Sequence, residues 1–310
     1  EYLYGEDERV VTHLELGEKI AQSDETVINA KSVVMIQCVG CRNEERNYCS
    51  RVCCGHSVKN ALKLKAINPE MDVTIAFRDM RTYGFNEDYY RQASNQDVKF
   101  IRWTPEDRPR VEAINAGGQS VLRVVLTDSI LGQKLAIDAD LLALAAAVVP
   151  SAKAQEISRF FKVPLGPDGF FQEAHVKLRP VEFAADGVYL CGMAHYPKHI
   201  PEAINQAYGA AGRVLTLLSH DIVTVSGSVC EVTEKKCMGC GACLAVCTYG
   251  AIEFRETRQG KKALVNPVIC KGDGLCNAVC PTGAIVLKHF TDQEILCQID
   301  AMVPESTNAE

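Results

Sequence analysis

Two cysteine-rich runs constrain the fold of this chain more than any other feature. The first reads C-M-G-C-G-A-C-L-A-V-C over residues 237–247, and the second reads C-K-G-D-G-L-C-N-A-V-C-P over residues 270–281. Both follow the spacing C-x2-C-x2-C-x3-C, except that the second has Asp273 at its second cysteine position. In chains with this spacing, the fourth cysteine of each run ligates the other of two iron-sulfur clusters. The runs therefore predict a small α+β domain of the bacterial two-cluster ferredoxin type.

The crossed ligation assigns each side chain to one of two cluster sites. The first site takes Cys237, Cys240, Cys243 and Cys280, and the second takes Cys247, Cys270 and Cys276, with Asp273 in the fourth position. A carboxylate is a harder ligand than a thiolate and holds iron less tightly. We therefore expect either a coordinated Asp273 or the loss of one iron, which would leave a [3Fe-4S] cluster. Zinc ribbons and disulfides, the alternatives, do not need seven cysteines in a crossed spacing.

Glycines and an internal repeat support the same interpretation. Glycines at positions 239, 241, 272 and 274 leave room for backbone N-H groups to approach the sulfurs. The unit Gly-Ala-Ile recurs at 250–252 and 283–285, as a duplicated module requires.

Composition limits the classes of protein to which the chain can belong. Its 15 cysteines fall mainly in metal-ligand spacings within 310 residues, which favours a reducing compartment over a disulfide-rich secreted protein. The net charge is -6 and no basic run follows a phosphate backbone, so nucleic acid is not an expected partner. The apolar run 141–149 is too short to cross a bilayer. We expect a soluble cytoplasmic protein. Since the sequence begins at Glu1, without methionine, we also expect a fragment or a natural split subunit.

Strands and helices alternate along the first half of the chain. Short apolar runs at 33–39, 72–77 and 98–103 predict strands, with helices expected at 57–67 and 87–95. This alternation predicts an α/β fold with a parallel, Rossmann-type sheet. Residues 111–116 and 121–128 predict a hairpin around Gly117-Gly118, and 140–150 a buried strand that leaves the domain.

The later segments suggest further elements and a set of domain boundaries. Residues 187–192 predict a strand, 200–218 a long helix, and Thr291 with Glu294 a capping box before a helical tail. We expect a connecting segment over 1–31, a pseudo-nucleotide-binding domain over 32–150, and the last part of a FAD-binding domain over 151–226. The two-cluster ferredoxin domain then covers 227–290 and the helical tail 291–310.

A second group of cysteines stands where a nucleotide would bind in such a fold. The first strand is followed by cysteines instead of glycines, and no G-x-G-x-x-G occurs in the chain. The group consists of Cys38, Cys41, Cys49, Cys53 and Cys54. It could hold a further iron-sulfur cluster, form a redox-active dithiol of Cys38 and Cys41, or consist of ordinary buried thiols. We favour the cluster, because a dithiol leaves three cysteines without a role.

Several longer segments resemble HdrA, the iron-sulfur flavoprotein component of heterodisulfide reductase. They are V-V-M-I-Q-C-V-G-C-R, Y-C-S-R-V-C-C, F-R-D-M-R-T-Y-G, K-L-R-P and C-G-M-A-H-Y-P-K-H-I-P-E-A-I-N-Q-A. The resemblance implies a thioredoxin-reductase-like flavoprotein in which a [4Fe-4S] cluster replaces the nicotinamide site. Its ligands would be Cys38, Cys49, Cys53 and Cys54, with Cys41 as the spare. Three cluster sites are thus expected, together with FAD.

The resemblance also implies which residues contact the flavin. Gly192, Met193 and Ala194 would lie against the ribityl and pyrophosphate groups, and Ile200, Pro201 and Glu202 would face the isoalloxazine. Lys177 and Arg179 are candidates for stabilising an anionic flavin. The glycine fingerprint of the other FAD-binding half is absent, so a different chain or segment must complete the site.

The expected function is electron transfer within a heterodisulfide-reductase-like complex, with flavin-based bifurcation as one form of it. Ferredoxin, hydrogenase or formate dehydrogenase are the partners that the resemblance implies. Two alternatives stay open: a thiol-disulfide oxidoreductase using Cys38 and Cys41, and a non-catalytic subunit that only connects redox partners. Cys191, Cys230 and Cys297 are interpreted as packing residues, and His195 and His199 as structural histidines.

Overall fold

The computed structural model of the chain describes residues 1–116, 119–222, 224 and 226–302. These residues form two compact units, one of residues 1–151 and 192–204 and the other of residues 152–191 and 205–310.

The first unit is built on a parallel sheet of the predicted Rossmann type. Five parallel-paired strands lie in the order β1-β8-β2-β3-β4. The strands of the unit are β1 (Val10–Thr12), β2 (Ser32–Val39), β3 (Asp72–Phe77), β4 (Lys99–Arg102), β5 (Arg110–Ala116), β6 (Gln119–Asp128), β7 (Gln133–Ala139) and β8 (Leu141–Ala146). The parallel pairing confirms the α/β prediction. Strand β8 does not leave the domain, as predicted, but lies between β1 and β2, because its apolar residues are buried at the centre of the sheet.

Helices pack on this sheet and bury its apolar side chains. They are α1 (His13–Ala21), α2 (Glu25–Ile28), α3 (Cys53–Ile67) and α4 (Asn86–Asn95). Met35, Leu64 and Ile75 are fully buried in one core cluster. The helix expected at 57–67 begins four residues earlier, at Cys53, so that two cysteines lie in its first turn.

The first residues of the chain take part in the sheet, although the sequence suggested a connecting segment there. Val10, Val11 and Thr12 pair with Leu142, Ala143 and Leu144 of β8. Thr12 then caps α1, because its Oγ1 accepts a hydrogen bond from Glu15 N at 3.2 Å while its own N donates to Glu15 Oε2 at 2.6 Å. This is a capping box.

A second, antiparallel sheet of strands β5, β6 and β7 completes the unit. The hairpin of β5 and β6 matches the prediction, whereas β7 was not predicted; the Gly117-Gly118 turn lies outside the described residues. Leu122, Val124 and Leu126 pack in one core cluster with Ile36 and Leu142 of the parallel sheet.

The second unit has few regular elements before its cysteine-rich part. Helix α5 covers Ala154–Phe161, and α6 covers Ile200–Leu218, as predicted, with residues 200–204 in the first unit. The strand expected at 187–192 is wrong. Leu190 is buried there, but the backbone pairs only through an isolated bridge of Tyr189 with Glu182 and a bond from Leu190 N to Val181 O.

The cysteine-rich part folds as two small antiparallel sheets and two short helices. Strands β10 and β11 form one sheet, and β9 and β12 form the other. The elements are β9 (Cys230–Val232), α7 (Ala242–Val246), β10 (Ile252–Thr257), β11 (Gly260–Val265), α8 (Leu275–Ala278), β12 (Ile285–Leu287) and the tail helix α9 (Asp292–Met302). Thr291 caps α9 as predicted, since Glu294 N donates to its Oγ1 at 3.3 Å and Thr291 N donates to Glu294 Oε2 at 2.9 Å.

Through the described parts of the chain, no helix has the length and apolar character that a membrane span requires.

Candidate iron-sulfur and flavin sites

The two halves of the ferredoxin part hold their cysteine sulfurs by equivalent backbone hydrogen bonds. Ala251 N donates to Cys247 Sγ at 3.4 Å, and Ala284 N donates to Cys280 Sγ at 3.2 Å. Each alanine follows its cysteine by four residues, and the two pairs are 33 positions apart, like Cys237 and Cys270. Hydrogen bonds to sulfur stabilise thiolate charge and help set the reduction potential of a cluster.

Strand backbone supplies a second pair of such bonds. Ala263 N, in β11, donates to Cys237 Sγ at 3.5 Å, and Cys230 N, in β9, donates to Cys270 Sγ at the same distance. Ala263 and Cys230 are therefore equivalent positions in the duplicated fold.

The four thiols assigned to the first ferredoxin site line one cavity. Its walls include Cys237, Cys240, Cys243 and Cys280, with Ala263 and Ile285 among the apolar residues. Three of these cysteines come from the first run and one from the second, as crossed ligation requires. A cavity bounded by four sulfurs and apolar side chains fits an iron-sulfur cubane.

The second ferredoxin site differs at its fourth corner. Asp273 is exposed, and its Oδ1 accepts a hydrogen bond from Leu275 N at 3.4 Å, at the start of α8. Cys230, which the sequence suggested to be a packing residue, lies instead against the ligand set. Its Sγ is 3.4 Å from Cys276 Sγ, and 4% of the residue is exposed.

Two of the ferredoxin glycines are needed for a reason that the sequence did not show. Gly239 and Gly272 have φ values of +71° and +67°, and an added Cβ would overlap the carbonyl oxygens of Lys261 and Ser228 respectively. The loops before α7 and α8 thus approach the backbone of the neighbouring strand too closely for any side chain.

The five cysteines of the first unit come together where β2 ends and α3 begins. Cys38 lies at the end of β2 with a φ of +62°, and Cys53 and Cys54 occupy the first turn of α3. The side chain of Val52, the residue before α3, makes no capping hydrogen bond. The first N-H groups of α3 and its dipole therefore favour negative charge at this point. Cys49 Sγ accepts from Arg51 N at 3.3 Å, as a thiolate would.

These thiols form two hydrogen-bonded pairs. The bond between Cys38 and Cys41 raises the pKa of Cys38 and lowers that of Cys41 to about 6, while burial raises both. The bond between Cys53 and Cys54 likewise raises the pKa of Cys53 and lowers that of Cys54 to about 7. The charges of Cys38, Cys49 and Cys54 all act on Cys53, so four of the thiols are close enough to repel one another as thiolates.

Arginines offset part of that negative charge. Arg42 Nη1 lies 3.8 Å from Cys38 Sγ, and its Nη2 is 2.6 Å from Asp79 Oδ2. Asp79 also meets Arg102 at 3.2 Å, and its carbonyl oxygen lies 3.7 Å from Cys54 Sγ. A cationic side chain held next to Cys38 favours the thiolate form that binds iron.

A buried polar network supports α3 directly behind the cysteines. Ser57 Oγ donates to Cys53 O at 2.8 Å and accepts from Gln37 Nε2. His13 Nδ1 lies 3.1 Å from the same Oγ, and burial lowers the pKa of His13 to about 3, so that the ring is neutral. The single hydroxyl hydrogen goes to Cys53 O, which assigns a donating Nδ1-H to His13.

Replacing Ser57 with alanine is expected to destabilise the first unit by about 1–3 kcal/mol, because Gln37 and His13 would lose a buried partner. Chemical denaturation of the first unit measures the change. Ser94→Ala, at an exposed serine of α4, is the control and should change the free energy of unfolding by less than about 0.5 kcal/mol. Equal effects of the two substitutions would show that the network does not stabilise the fold.

Within the described ranges, no three or more His, Cys, Asp or Glu side chains converge as ligands of a single metal ion. A cubane makes a different demand, since its cysteines bind separate irons and need not meet at one point.

The residues expected at the flavin divide between the two units. Gly192, Met193 and Ala194 form a 3-10 turn of the first unit. Ile200, Pro201 and Glu202 begin α6 in the same unit, where Glu202 Oε2 accepts from His199 N at 2.8 Å. Glu202 Oε1 also accepts from Arg51 at 2.6 Å. This ion pair joins the start of α6 to the loop that carries Cys49.

A cavity of about 730 Å3 opens beside Cys49 in the first unit. Its walls are rich in aromatic and cationic side chains, namely Tyr48, Arg51, Arg81, Tyr83 and Tyr196. Arg51 donates to Tyr83 Oη at 2.8 Å and lies 5.5 Å from the ring centre of Tyr196. Flat rings and guanidinium groups of this kind suit a planar, electron-rich ligand.

Lys177 and Arg179 belong to the second unit. Lys177 is exposed, and its backbone N donates to His175 Nδ1 at 3.2 Å. Arg179 Nη2 donates to Phe183 O at 3.0 Å, and its Nε lies 3.7 Å from Glu182 Oε2. Arg179 thus stabilises its own loop, and a flavin contact of either residue stays a prediction.

Comparison with known proteins agrees with the geometry of the ferredoxin part. Residues 236–284 match the family model of a 4Fe-4S dicluster domain. These residues contain all the cysteines of the two runs. The two-cluster ferredoxin prediction is thereby confirmed.

Longer similarities cover nearly the whole chain. It is 39% identical over 318 residues to the HdrA component of the H(2):CoB-CoM heterodisulfide,ferredoxin reductase of Methanothermobacter thermautotrophicus, covering 98% of this chain and 47% of that protein. It is 37% identical, with the same coverages, to the HdrA component of the H(2)/formate:CoB-CoM heterodisulfide,ferredoxin reductase of Methanococcus maripaludis. A solved thioredoxin reductase of T. acidophilum is similar over 61% of this chain and 53% of its own, with 16% identity and a TM-score of 0.41.

The chain spans about half the length of these curated relatives. Their similarity runs through both units and includes both groups of cysteines. The chain belongs to the HdrA family of heterodisulfide reductase components.

Proposed function

We propose that the chain is an electron-transfer part of a heterodisulfide-reductase-like complex. Electrons pass between FAD, a [4Fe-4S] cluster on Cys38, Cys49, Cys53 and Cys54, and the two ferredoxin clusters. The observation that carries this proposal is the convergence of the first-unit thiols at the start of α3, next to the loop that Arg51 ties to Glu202. Flavin and clusters supply the redox chemistry, while the protein positions them and tunes their potentials.

The cavity beside Cys49 supports a flavin at this point of the first unit. It brings aromatic and cationic side chains next to a cluster ligand. A flavin held there would exchange electrons with the neighbouring cluster, and Arg51 and Arg81 would favour its anionic reduced form. Another chain or segment, with a glycine-rich phosphate site, must complete the FAD site, because the described chain has no such loop.

The names of the relatives suggest partners. Those names include H2, formate and ferredoxin. By extension, this chain would exchange electrons with a hydrogenase, a formate dehydrogenase or ferredoxin, and flavin-based bifurcation is one way to couple two such routes. The ferredoxin module is the part that a soluble electron carrier would meet.

Flavin content tests this proposal. The isolated chain and the assembled complex are each purified anaerobically, and bound FAD is measured by fluorescence after release. We expect about one FAD per complex and a marked loss of FAD in Arg51→Ala complexes, with Arg91→Ala, at an exposed arginine of α4, as the control. A complex without FAD would contradict the proposal and favour a subunit that only connects redox partners.

One observation favours a second function, thiol-disulfide exchange. Cys38 and Cys41 are hydrogen bonded, and that bond lowers the pKa of Cys41 to about 6, as in reactive dithiols. Cys41 is buried, however, which limits the approach of a disulfide substrate. This function predicts a dithiol that titrates without iron and activity lost in Cys41→Ser.

A further inference from the structure

The second ferredoxin site lacks one thiol at the expected position and has one extra thiol nearby. In the duplicated fold, Asp273 is equivalent to Cys240, so the second run lacks a ligand there. Cys230 is equivalent to Ala263, because each donates its backbone N-H to the first cysteine sulfur of a run, at 3.5 Å. One half thus has cysteine and alanine at these two positions, and the other half has aspartate and cysteine. The loss of a thiol at one position coincides with the gain of a thiol at the other.

The extra thiol is buried among the ligands of the second site. Cys230 Sγ is 3.4 Å from Cys276 Sγ, and its backbone N contacts Cys270 Sγ. Cys230 packs in one cluster of buried residues with Cys243, Cys276 and Ile285. A sulfur in this position meets other sulfurs and apolar carbon, with 4% of the residue exposed to solvent.

We propose that Cys230 is the fourth thiolate ligand of the second ferredoxin cluster, together with Cys247, Cys270 and Cys276. Rotation about the Cα-Cβ bond moves the sulfur among its staggered positions without movement of the strand. On ligation the thiol proton leaves to solvent, a sulfur-iron bond forms, and the iron gives up a water or hydroxide ligand. No electron is transferred in this exchange.

Asp273 is the competing ligand, and its surroundings favour it less. Its carboxylate is exposed and accepts a hydrogen bond from Leu275 N, where it caps the short helix α8. Iron-sulfur irons prefer thiolate to carboxylate. The proposal replaces the sequence-based expectation of a three-iron or carboxylate-ligated cluster with an all-cysteine four-iron cluster.

The test compares Cys230→Ala with Asp273→Ala in the full chain, reconstituted with iron and sulfide under anaerobic conditions. Alanine at 230 copies the residue that the equivalent position 263 already has, so the strand is expected to fold. The readouts are iron and sulfide content, Mössbauer spectra, and the EPR signal of oxidised three-iron clusters. These report the cluster itself, so they stand apart from the proposed electron transfer and would survive its failure.

Cys230→Ala is expected to convert one cluster to the three-iron form and to lower the iron content by about one per chain. Asp273→Ala is expected to leave every cluster in the four-iron form. The double variant Cys230→Ala with Asp273→Cys should regain the lost iron, because it restores the four-cysteine run. Spectra of Cys230→Ala identical to those of the parent chain, or conversion in Asp273→Ala, would overturn the proposal.

Discussion

Cys53→Ser is expected to remove the first-unit cluster, lowering the content by about four iron and four sulfide per chain. Cys53 lies in the first turn of α3, and the charges of Cys38, Cys49 and Cys54 all act on it. It therefore holds the central position among the four proposed ligands. A serine oxygen is a harder ligand than thiolate and binds these irons less tightly. The ferredoxin clusters should keep their spectra, since their ligands lie elsewhere in the chain.

Cys41→Ser is the matched control for this prediction. It changes one sulfur to oxygen in the same thiol group, at a residue that we leave outside the ligand set. The hydrogen bond from Cys41 to Cys38 would be replaced by one from a hydroxyl, and the iron content should stay within error of the parent value. Loss of iron in Cys41→Ser with retention in Cys53→Ser would reverse the ligand assignment.

Gly272→Ala is expected to disrupt the second half of the ferredoxin module. The added methyl group would overlap the carbonyl oxygen of Ser228, which belongs to the backbone and cannot rotate away as a side chain can. The loop must then move away from β9, and Cys270 would lose the N-H of Cys230. The cluster absorbance and its stability to denaturant report the damage.

Gly283→Ala provides the control, because it has the same kind of backbone with free space around it. Its φ is +59°, against +67° for Gly272, and a Cβ there would meet nothing within 4 Å. The control should lose about 1–2 kcal/mol from backbone conformation alone. Gly272→Ala should lose markedly more and shed cluster iron, and equal losses would show that the close approach to Ser228 is not what requires glycine.

The parallel sheet and the ferredoxin module could be predicted because their signals are local. β-branched runs such as 72–77 form the strand that they predict, and cysteine spacing fixes the ligation pattern before any tertiary contact is known. The long helix α6 and the capping box of Thr291 are local in the same sense.

Features that depend on distant pairing could not be read in this way. Residues 187–192 have the alternation of a strand, but a strand also needs a partner along its length, and here only one bridge forms. Residues 10–12 look unremarkable in sequence and become a strand because β8 lies beside them.

The role that we assign to Cys230 shows the same limit at a candidate site. Its sequence position, seven residues before Cys237, resembles no ligand spacing. The antiparallel pairing of β9 with β12 brings it to the second site. The signal that could have revealed it is the internal repeat: aligning the halves at an offset of 33 places Cys230 opposite Ala263.

The number of clusters in the full chain tests the central claim most directly. Iron and sulfide analysis with redox-titrated EPR, on anaerobically reconstituted chain, should give about twelve iron and three reducible clusters. About eight iron and two clusters, with the thiols of the first unit titrating free of metal, would contradict the account.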